Sequence, residues 1–188
     1  MKENKILALK YRPKEFDDLI GQEVMVQTVT NAINPGKTPN AYLLTGIRGV
    51  GKTTTARLIA KALNCVKNID DKVECSKDKL CQTCEEIINS NHIDILEMDA
   101  ASKTGIDDIR ELIENSKYSP TSAQYKIFII DEVHMLSKQA FNGLLKTLEE
   151  PPSRLKFILA TTEVRKIPVT ILSRCQRFDL KRVSVEKL

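Results

Sequence analysis

The run Gly46-Ile-Arg-Gly-Val-Gly-Lys52-Thr53 constrains this chain more than any other, because it sets three glycines and a Lys-Thr pair between an apolar segment and a helical pattern. Ala41-Tyr-Leu-Leu-Thr45 reads as a buried strand, and Thr54 to Leu63 keeps Leu58, Ile59, Ala62 and Leu63 on one helical face. The glycines therefore fall at a strand-to-helix turn. Gly46, Gly49 and Gly51 permit dihedrals and a close approach that a side chain would block, so successive N–H groups can converge on an anion. The positive end of the following helix adds to that field. At this spacing Lys52 would reach β- and γ-phosphates and Thr53 would set its hydroxyl on Mg²⁺. Gly46, Gly49, Val50, Gly51, Lys52, Thr53 and Thr54 are thus the expected nucleotide contacts. The rival reading is an ordinary glycine turn, which the strand and helix on either side weigh against.

A phosphate cradle alone does not say whether the nucleotide is cleaved. Lys126-Ile-Phe-Ile-Ile-Asp131-Glu132 is a short apolar strand ending in two adjacent carboxylates, and residues at the C-terminal end of a parallel strand face the ligand crevice. There Asp131 would hold Mg²⁺ and Glu132 would act as general base on water. A solvated acidic strand end is the bland alternative.

The rest of the chain alternates elements. Val24 to Ile33 reads as a helix and Asn34-Pro-Gly-Lys-Thr-Pro39 as a loop. Ile93 to Met98 alternates as a strand, followed by a helix from Ile106 to Ser116 carrying Ile109, Leu112 and Ile113. Ser137 can cap a helix whose stripe is Ala140, Phe141, Leu144, Leu145 and Leu148, and Pro151 and Pro152 stop it. Lys156 to Thr162 and Gln176 to Leu180 read as two more strands. Strands separated by helical crossovers imply an α/β fold with a five-stranded, mostly parallel sheet covered on both faces. At 188 residues and 41% hydrophobic content, one domain with a real core is expected. Neither a long apolar span nor an N-terminal signal pattern is visible, which points to the cytoplasm. The net charge of +4 is too mild to establish a polyanionic partner.

Cys65, Cys75, Cys81 and Cys84 cluster within twenty residues. In a cytosolic chain, four such thiolates match a tetrahedral Zn²⁺ site better than disulfides. Cys81-Gln-Thr-Cys84 has knuckle spacing, whereas Cys65 and Cys75 are further apart than the usual pair, so unligated thiols remain an alternative. His92 could substitute as a ligand, although it also suits the start of the next strand. The polar residues between Cys65 and Cys81 offer little to a core, so a metal would be the main source of order there.

Taken together, Leu9-Lys-Tyr-Arg-Pro13, Ile20-Gly-Gln-Glu23, the glycine-rich turn, Ile130-Asp-Glu-Val-His-Met-Leu136, Leu144 to Pro152, Leu159-Ala-Thr-Thr162 and Ser173-Arg-Cys175 resemble one family almost end to end. It is that of the AAA+ clamp-loader ATPases, specifically the N-terminal domain of bacterial DNA polymerase III gamma/tau subunits. The resemblance implies a P-loop NTPase three-layer sandwich with a zinc-binding insertion at about residues 65–84. It implies ATP or ADP with Mg²⁺ and Zn²⁺ as cofactors. Tyr11, Arg12 and Pro13, with Leu19 and Ile20, match the positions that receive adenine and ribose. Thr162 matches the sensor 1 position near the γ-phosphate. Arg174 matches an arginine finger that reaches the ATP of a neighbouring subunit, where a guanidinium can neutralise charge on the transferred phosphoryl group. The family's four-cysteine zinc module supports Cys65, Cys75, Cys81 and Cys84 as ligands, although its second and third cysteines are usually only two residues apart.

The resemblance also implies a larger assembly. The family's chains continue into a helical lid and a collar, which residues 1–188 do not contain, so the chain reads as the nucleotide-binding domain of a longer subunit without its sensor 2 arginine. The implied partners are delta, delta prime and further gamma/tau subunits, the sliding clamp, primed DNA, and the polymerase core through the full-length chain, with no membrane. ATP binding would let the loader open the clamp, and hydrolysis would release it closed on DNA. No nucleotidyl-transfer site is visible. Two rivals are a DExH-type helicase, since Asp131-Glu-Val-His134 fits that pattern, and a non-hydrolysing scaffold subunit, which intact Lys52, Thr53, Asp131 and Glu132 argue against. A P-loop small-molecule kinase lacks an acceptor-binding constellation.

Overall fold

Three of the strands are apolar on both faces, so water can wet neither side and helices must cover both. A computed structural model of the chain describes residues 11–33, 38–68, 75–76, 78–102 and 106–183. Leu9 and Lys10 of the first matching motif, residues 34–37 of the expected loop and residues 69–74 and 77 of the cysteine segment lie outside the described residues. The strands are β1 (Ala41–Thr45), β2 (Ile95–Asp99), β3 (Lys126–Asp131), β4 (Leu155–Thr161) and β5 (Gln176–Asp179). They form one sheet in the order β2-β3-β4-β1-β5, and every pairing is parallel. β1 and β4 are buried throughout and β3 is buried up to Asp131, as expected for parallel strands sandwiched between helices.

Side-chain alternation sorts the core into two layers. Leu43, Phe128, Ile130, Phe157 and Leu159 point to the face covered by α4 (Ile106–Ser116), α5 (Lys138–Glu149) and the short α6 (Val169–Leu172). Tyr42, Leu44, Ile127, Ile129, Ile158 and Ala160 meet α1 (Glu23–Ile33), α2 (Lys52–Asn64) and α3 (Gln82–Ile88) on the other. The helical stripes expected from periodicity face inward: Leu58, Ile59 and Leu63 on α2, Ile109 and Leu112 on α4, and Ala140, Phe141, Leu144 and Leu148 on α5 are buried, while Ala62, Ile113 and Leu145 at the stripe edges are only partly buried. Ser137 caps α5, its Oγ accepting the Ala140 N–H at 3.2 Å, and the helix ends ahead of Pro151.

Several boundaries shift from the sequence expectation. α2 begins two residues early, at Lys52, and β4 runs from Leu155 to Thr161, leaving Thr162 just beyond it. β2 starts at Ile95 rather than Ile93, because Asp94 is committed to a turn. Its carboxylate accepts N–H groups from Thr121 at 2.7 Å, Ser122 at 2.8 Å and Ala123 at 2.9 Å, and it is only 1% exposed. His92 is buried beside it, its Nδ1 accepting the Asp94 N–H at 3.1 Å.

Asp94 therefore pins the loop that feeds β3. Burial pushes its carboxyl upward, but the donors from Ser122, Thr121 and Ala123 outweigh that and hold it below the usual aspartate range. A carboxyl lowered on folding contributes stability that is fully present above the unfolded value of about 3.9 and is lost as pH falls through the folded value. Asp94→Asn should cost about 1–3 kcal/mol at neutral pH by leaving a buried N–H without an acceptor. Denaturant titrations at pH 7 and below pH 4 check this: the gap between wild type and variant should narrow on acidification.

Candidate nucleotide site and cysteine cluster

The cradle forms where β1 hands over to α2. Gly46, Gly49 and Gly51 have φ of 148°, 80° and 96°, a range that favours glycine. At Gly46 space forbids a side chain as well, since a Cβ would lie 2.8 Å from the Leu180 carbonyl oxygen. Gly51 is the N-cap of α2, so the helix's free N–H groups open into the cradle. Lys52 is 6% exposed, and its ammonium is held by the carbonyls of Gly46 at 3.1 Å and Ile47 at 3.2 Å, folded back over the loop.

A cleft of about 570 Å³ opens over this loop. Its lining sorts by charge: Arg12, Arg48 and Lys52 supply cations, and Asp99, Asp131 and Glu132 supply carboxylates. Burial and then the neighbouring Arg57 lower the Arg12 pKa, so an anionic ligand would be favoured there. Tyr11 and Pro13 complete the same wall. Leu19 and Ile20 are not among the lining residues; Leu19 packs with Phe16 and Val26 against the core, and Ile20 is half exposed. Val50 likewise packs on the core behind the loop rather than lining the cleft.

The carboxylates at the end of β3 meet residues from two other segments. Thr53 Oγ1 donates to Asp131 Oδ2, and Asp131 Oδ1 accepts the Glu132 N–H at 2.9 Å. Glu132 Oε2 accepts the Thr162 hydroxyl at 3.0 Å and the Thr162 N–H at 3.3 Å. The hydroxyl-carboxylate pair at Thr53 and Asp131 suits a hard divalent cation, and the loop after Gly46 offers backbone N–H groups together with Arg48 and Lys52 to phosphate. The residues present therefore fit a nucleotide triphosphate with Mg²⁺. Sequence reasoning misses Arg48 and Asp99 as lining residues. Asp99 is legible in principle, because it ends β2 in register with Asp131.

Arg174 is not part of this cleft. Its guanidinium donates to Glu149 at 2.5 Å, to the Thr170 carbonyl at 2.6 Å and to Ser173 Oγ at 3.3 Å, on the α5–α6 side of the sheet. It therefore lies apart from its own chain's cradle.

At the far end of α2 the chain gathers its cysteines. Cys65 is the C-cap of α2, Cys81 the N-cap of α3, and Cys84 sits within α3. One sulfur from each of Cys65, Cys75, Cys81 and Cys84 falls within 4.8 Å of all the others. A tetrahedral Zn–S site with bonds of about 2.3 Å spaces its sulfurs about 3.8 Å apart, so the four fit such an ion with little adjustment. Burial drives the Cys84 thiol well upward. At Cys81 burial also acts upward, but the backbone N–H and thiol of Cys84 outweigh it and the net shift is downward. His92 is not in the group. α3, seven residues long, is not anticipated by the sequence pattern: its apolar content is slight, and Cys84 and Ile87 provide its buried side.

The sheet order, the glycine cradle at the β1–α2 turn and the carboxylate pair ending β3 define a P-loop protein of the AAA+ class. Solved structures carry the same fold. A DNA polymerase III gamma subunit-related protein of Thermotoga maritima aligns with a TM-score of 0.61 at 24% identity over 85% of this chain and 46% of its own. The RuvB Holliday junction branch-migration motor of that organism aligns with a TM-score of 0.65 at 22% identity, over 94% of this chain and 51% of its own. The family model described as DNA polymerase III, delta subunit matches residues 21–184, and the chain belongs to that family. Within it the chain is similar to the N-terminal domain of gamma/tau subunits. It is 49% identical to DNA polymerase III subunit tau of Escherichia coli over 183 residues, covering 97% of this chain and 28% of that protein. It is 51% identical to subunit gamma of Buchnera aphidicola (subsp. Schizaphis graminum) over 183 residues, covering 97% of this chain and 49% of that protein. The chain thus spans a quarter to a half of these relatives. No helix among the described residues is long and apolar enough to cross a membrane.

Proposed function

We propose that this chain is the ATP-binding and hydrolysing domain of a DNA polymerase III clamp-loader subunit of the gamma/tau type. The observation that carries the reading is the linked set Thr53–Asp131 and Glu132–Thr162 at the head of the cradle. Backbone N–H groups of the loop and Lys52 would hold the phosphates, and Arg12 with Tyr11 would meet the nucleoside end. Thr53 and Asp131 would hold Mg²⁺, which when bound offsets charge on the phosphates. Glu132 takes the proton from the attacking water, and Thr162 keeps its carboxylate aimed. Arg174 would serve the cradle of the next subunit rather than its own, so full turnover needs a neighbour.

In the whole protein, ATP binding would let a loader built with delta, delta prime and further gamma/tau copies open the sliding clamp on primed DNA in the cytoplasm, and hydrolysis would release it. A clamp-loading assay with the full-length subunit and its partners tests this: ATP-dependent transfer of clamp to primed DNA is expected, and assembly without any ATP-dependent transfer would exclude it.

The cysteine cluster would hold a structural Zn²⁺ that joins α2 to α3, giving order to a segment poor in apolar residues. Elemental analysis should find about one zinc per chain, and Cys81→Ser with Cys84→Ser should abolish it and lower the melting temperature. A metal-free preparation that melts like the metal-replete one would remove zinc from the fold.

A further inference from the structure

His134 is used by nothing in the mechanism above, yet it is packed against the residues that carry it. Its side chain is 6% exposed. Nδ1 lies 3.0 Å from Thr161 Oγ1 and 3.4 Å from Glu132 Oε2, and Nε2 lies 3.5 Å from Glu163 Oε1. Two features bring it there. Glu132 adopts left-handed backbone angles, φ 46° and ψ 43°, an uncommon conformation for a side chain of its size, and the chain then tightens into a 3₁₀ turn over Val133–Met135. That reversal folds residue 134 back beside the side chain of residue 132. The neighbouring strand β4 ends at Thr161, whose hydroxyl also accepts the Glu163 N–H at 3.0 Å and is therefore fixed in place.

We propose that His134 is a positioning residue for Glu132, bracing the carboxylate that accepts the proton in ATP hydrolysis; this rests on the hydrolytic reading above. The tautomer with its proton on Nδ1 donates to Thr161 Oγ1 at 3.0 Å and sets the same nitrogen 3.4 Å from Glu132 Oε2, a close polar contact on that side of the carboxylate. Thr162 supplies two donors to the same oxygen. All the hydrogen bonds described for this carboxylate thus converge on Oε2, which leaves Oε1 to receive the proton from water. Thr162 alone would define one side of Oε2 and leave the carboxylate free to swing about it. The buried imidazole removes that freedom, and its bond to Thr161 Oγ1 fixes the ring.

The test uses the full-length subunit in its assembled complex, with MgATP as substrate and five variants. His134→Ala should lower kcat by about 10- to 100-fold with KM and ATP affinity nearly unchanged, the size expected when a support for a reacting group is lost. His134→Asn, which can place an amide nitrogen near the Nδ1 position, should recover most of that loss. His134→Phe, which fills the space without a donor, should not. On a Glu132→Gln background, His134→Ala should cost nothing further. Recovery by Phe equal to that by Asn would reduce the residue to packing and overturn the proposal, and the Asn and Phe pair decides this even if the alanine variant does not fold. Wild-type kcat in His134→Ala, with Glu132→Gln inactive, would overturn the positioning role and leave the hydrolytic reading standing. Normal turnover by Glu132→Gln would overturn both.

Discussion

Arg174→Ala should lower ATP turnover of the assembled complex by about 10³- to 10⁵-fold while each subunit still binds ATP almost normally. The separation of effects follows from position. Arg174 makes its contacts with Glu149, Thr170 and Ser173, and lines no part of its own cradle, so removing it takes nothing from nucleotide binding in the same chain. A guanidinium meeting charge on a transferred phosphoryl group acts chiefly in the transition state, and its loss therefore falls on kcat. Arg174→Lys should rescue little, because an ammonium lacks the planar fork. Steady-state turnover and equilibrium ATP binding on the same complexes decide the matter: equal turnover by mutant and wild-type complexes would exclude a finger role. Mixing subunits adds a second check, since one mutant copy should silence the site of its neighbour and not its own.

Glu132→Gln should bind ATP, hold it, and turn it over about 10²- to 10⁴-fold more slowly. The amide keeps an oxygen that can accept both Thr162 donors, so the local geometry should survive while the capacity to take a proton does not. Single-turnover hydrolysis with prebound MgATP isolates that step. Stalled, ATP-loaded complexes are the expected product, and an unchanged single-turnover rate would remove Glu132 from the proton transfer.

Much of the frame can be read from the residues alone. β1, β3 and α4 begin and end where the apolar patterns do, because each run is bounded by glycine, a carboxylate or a turn residue that local physics already disfavours in the element. The start of β2 cannot be read this way, because Ile93 continues the alternation although Asp94 is spent on the loop at 121–123, a contact 27 to 29 residues away. α3 escapes the pattern because a seven-residue helix capped by Cys81 carries too few apolar positions to show a period. Leu19, Ile20 and Val50 follow from motif correspondence, and none lines the cleft: Leu19 and Val50 pack on the core and Ile20 is exposed.

The residue types set out the chemistry open to this chain: glycines and a lysine for phosphate, adjacent carboxylates for metal and base, and four thiols suited to a metal, whereas the role proposed for Arg174 toward a neighbour rests on the family resemblance. Local periodicity determined the elements that carry them. Only the tertiary structure decided which of these groups meet. The order β2-β3-β4-β1-β5 sets β4 between β3 and β1, which puts Thr162 on Glu132 across 30 residues of chain and Asp131 on Thr53 across 78. It also folds His134 against Thr161 and closes four sulfurs to within 4.8 Å. The physical reason is one of range. Helix and strand periods are written within a few residues, whereas strand order depends on the total apolar surface that one arrangement buries. Loop-closure cost grows only slowly with length and so leaves distant pairings nearly as accessible as close ones.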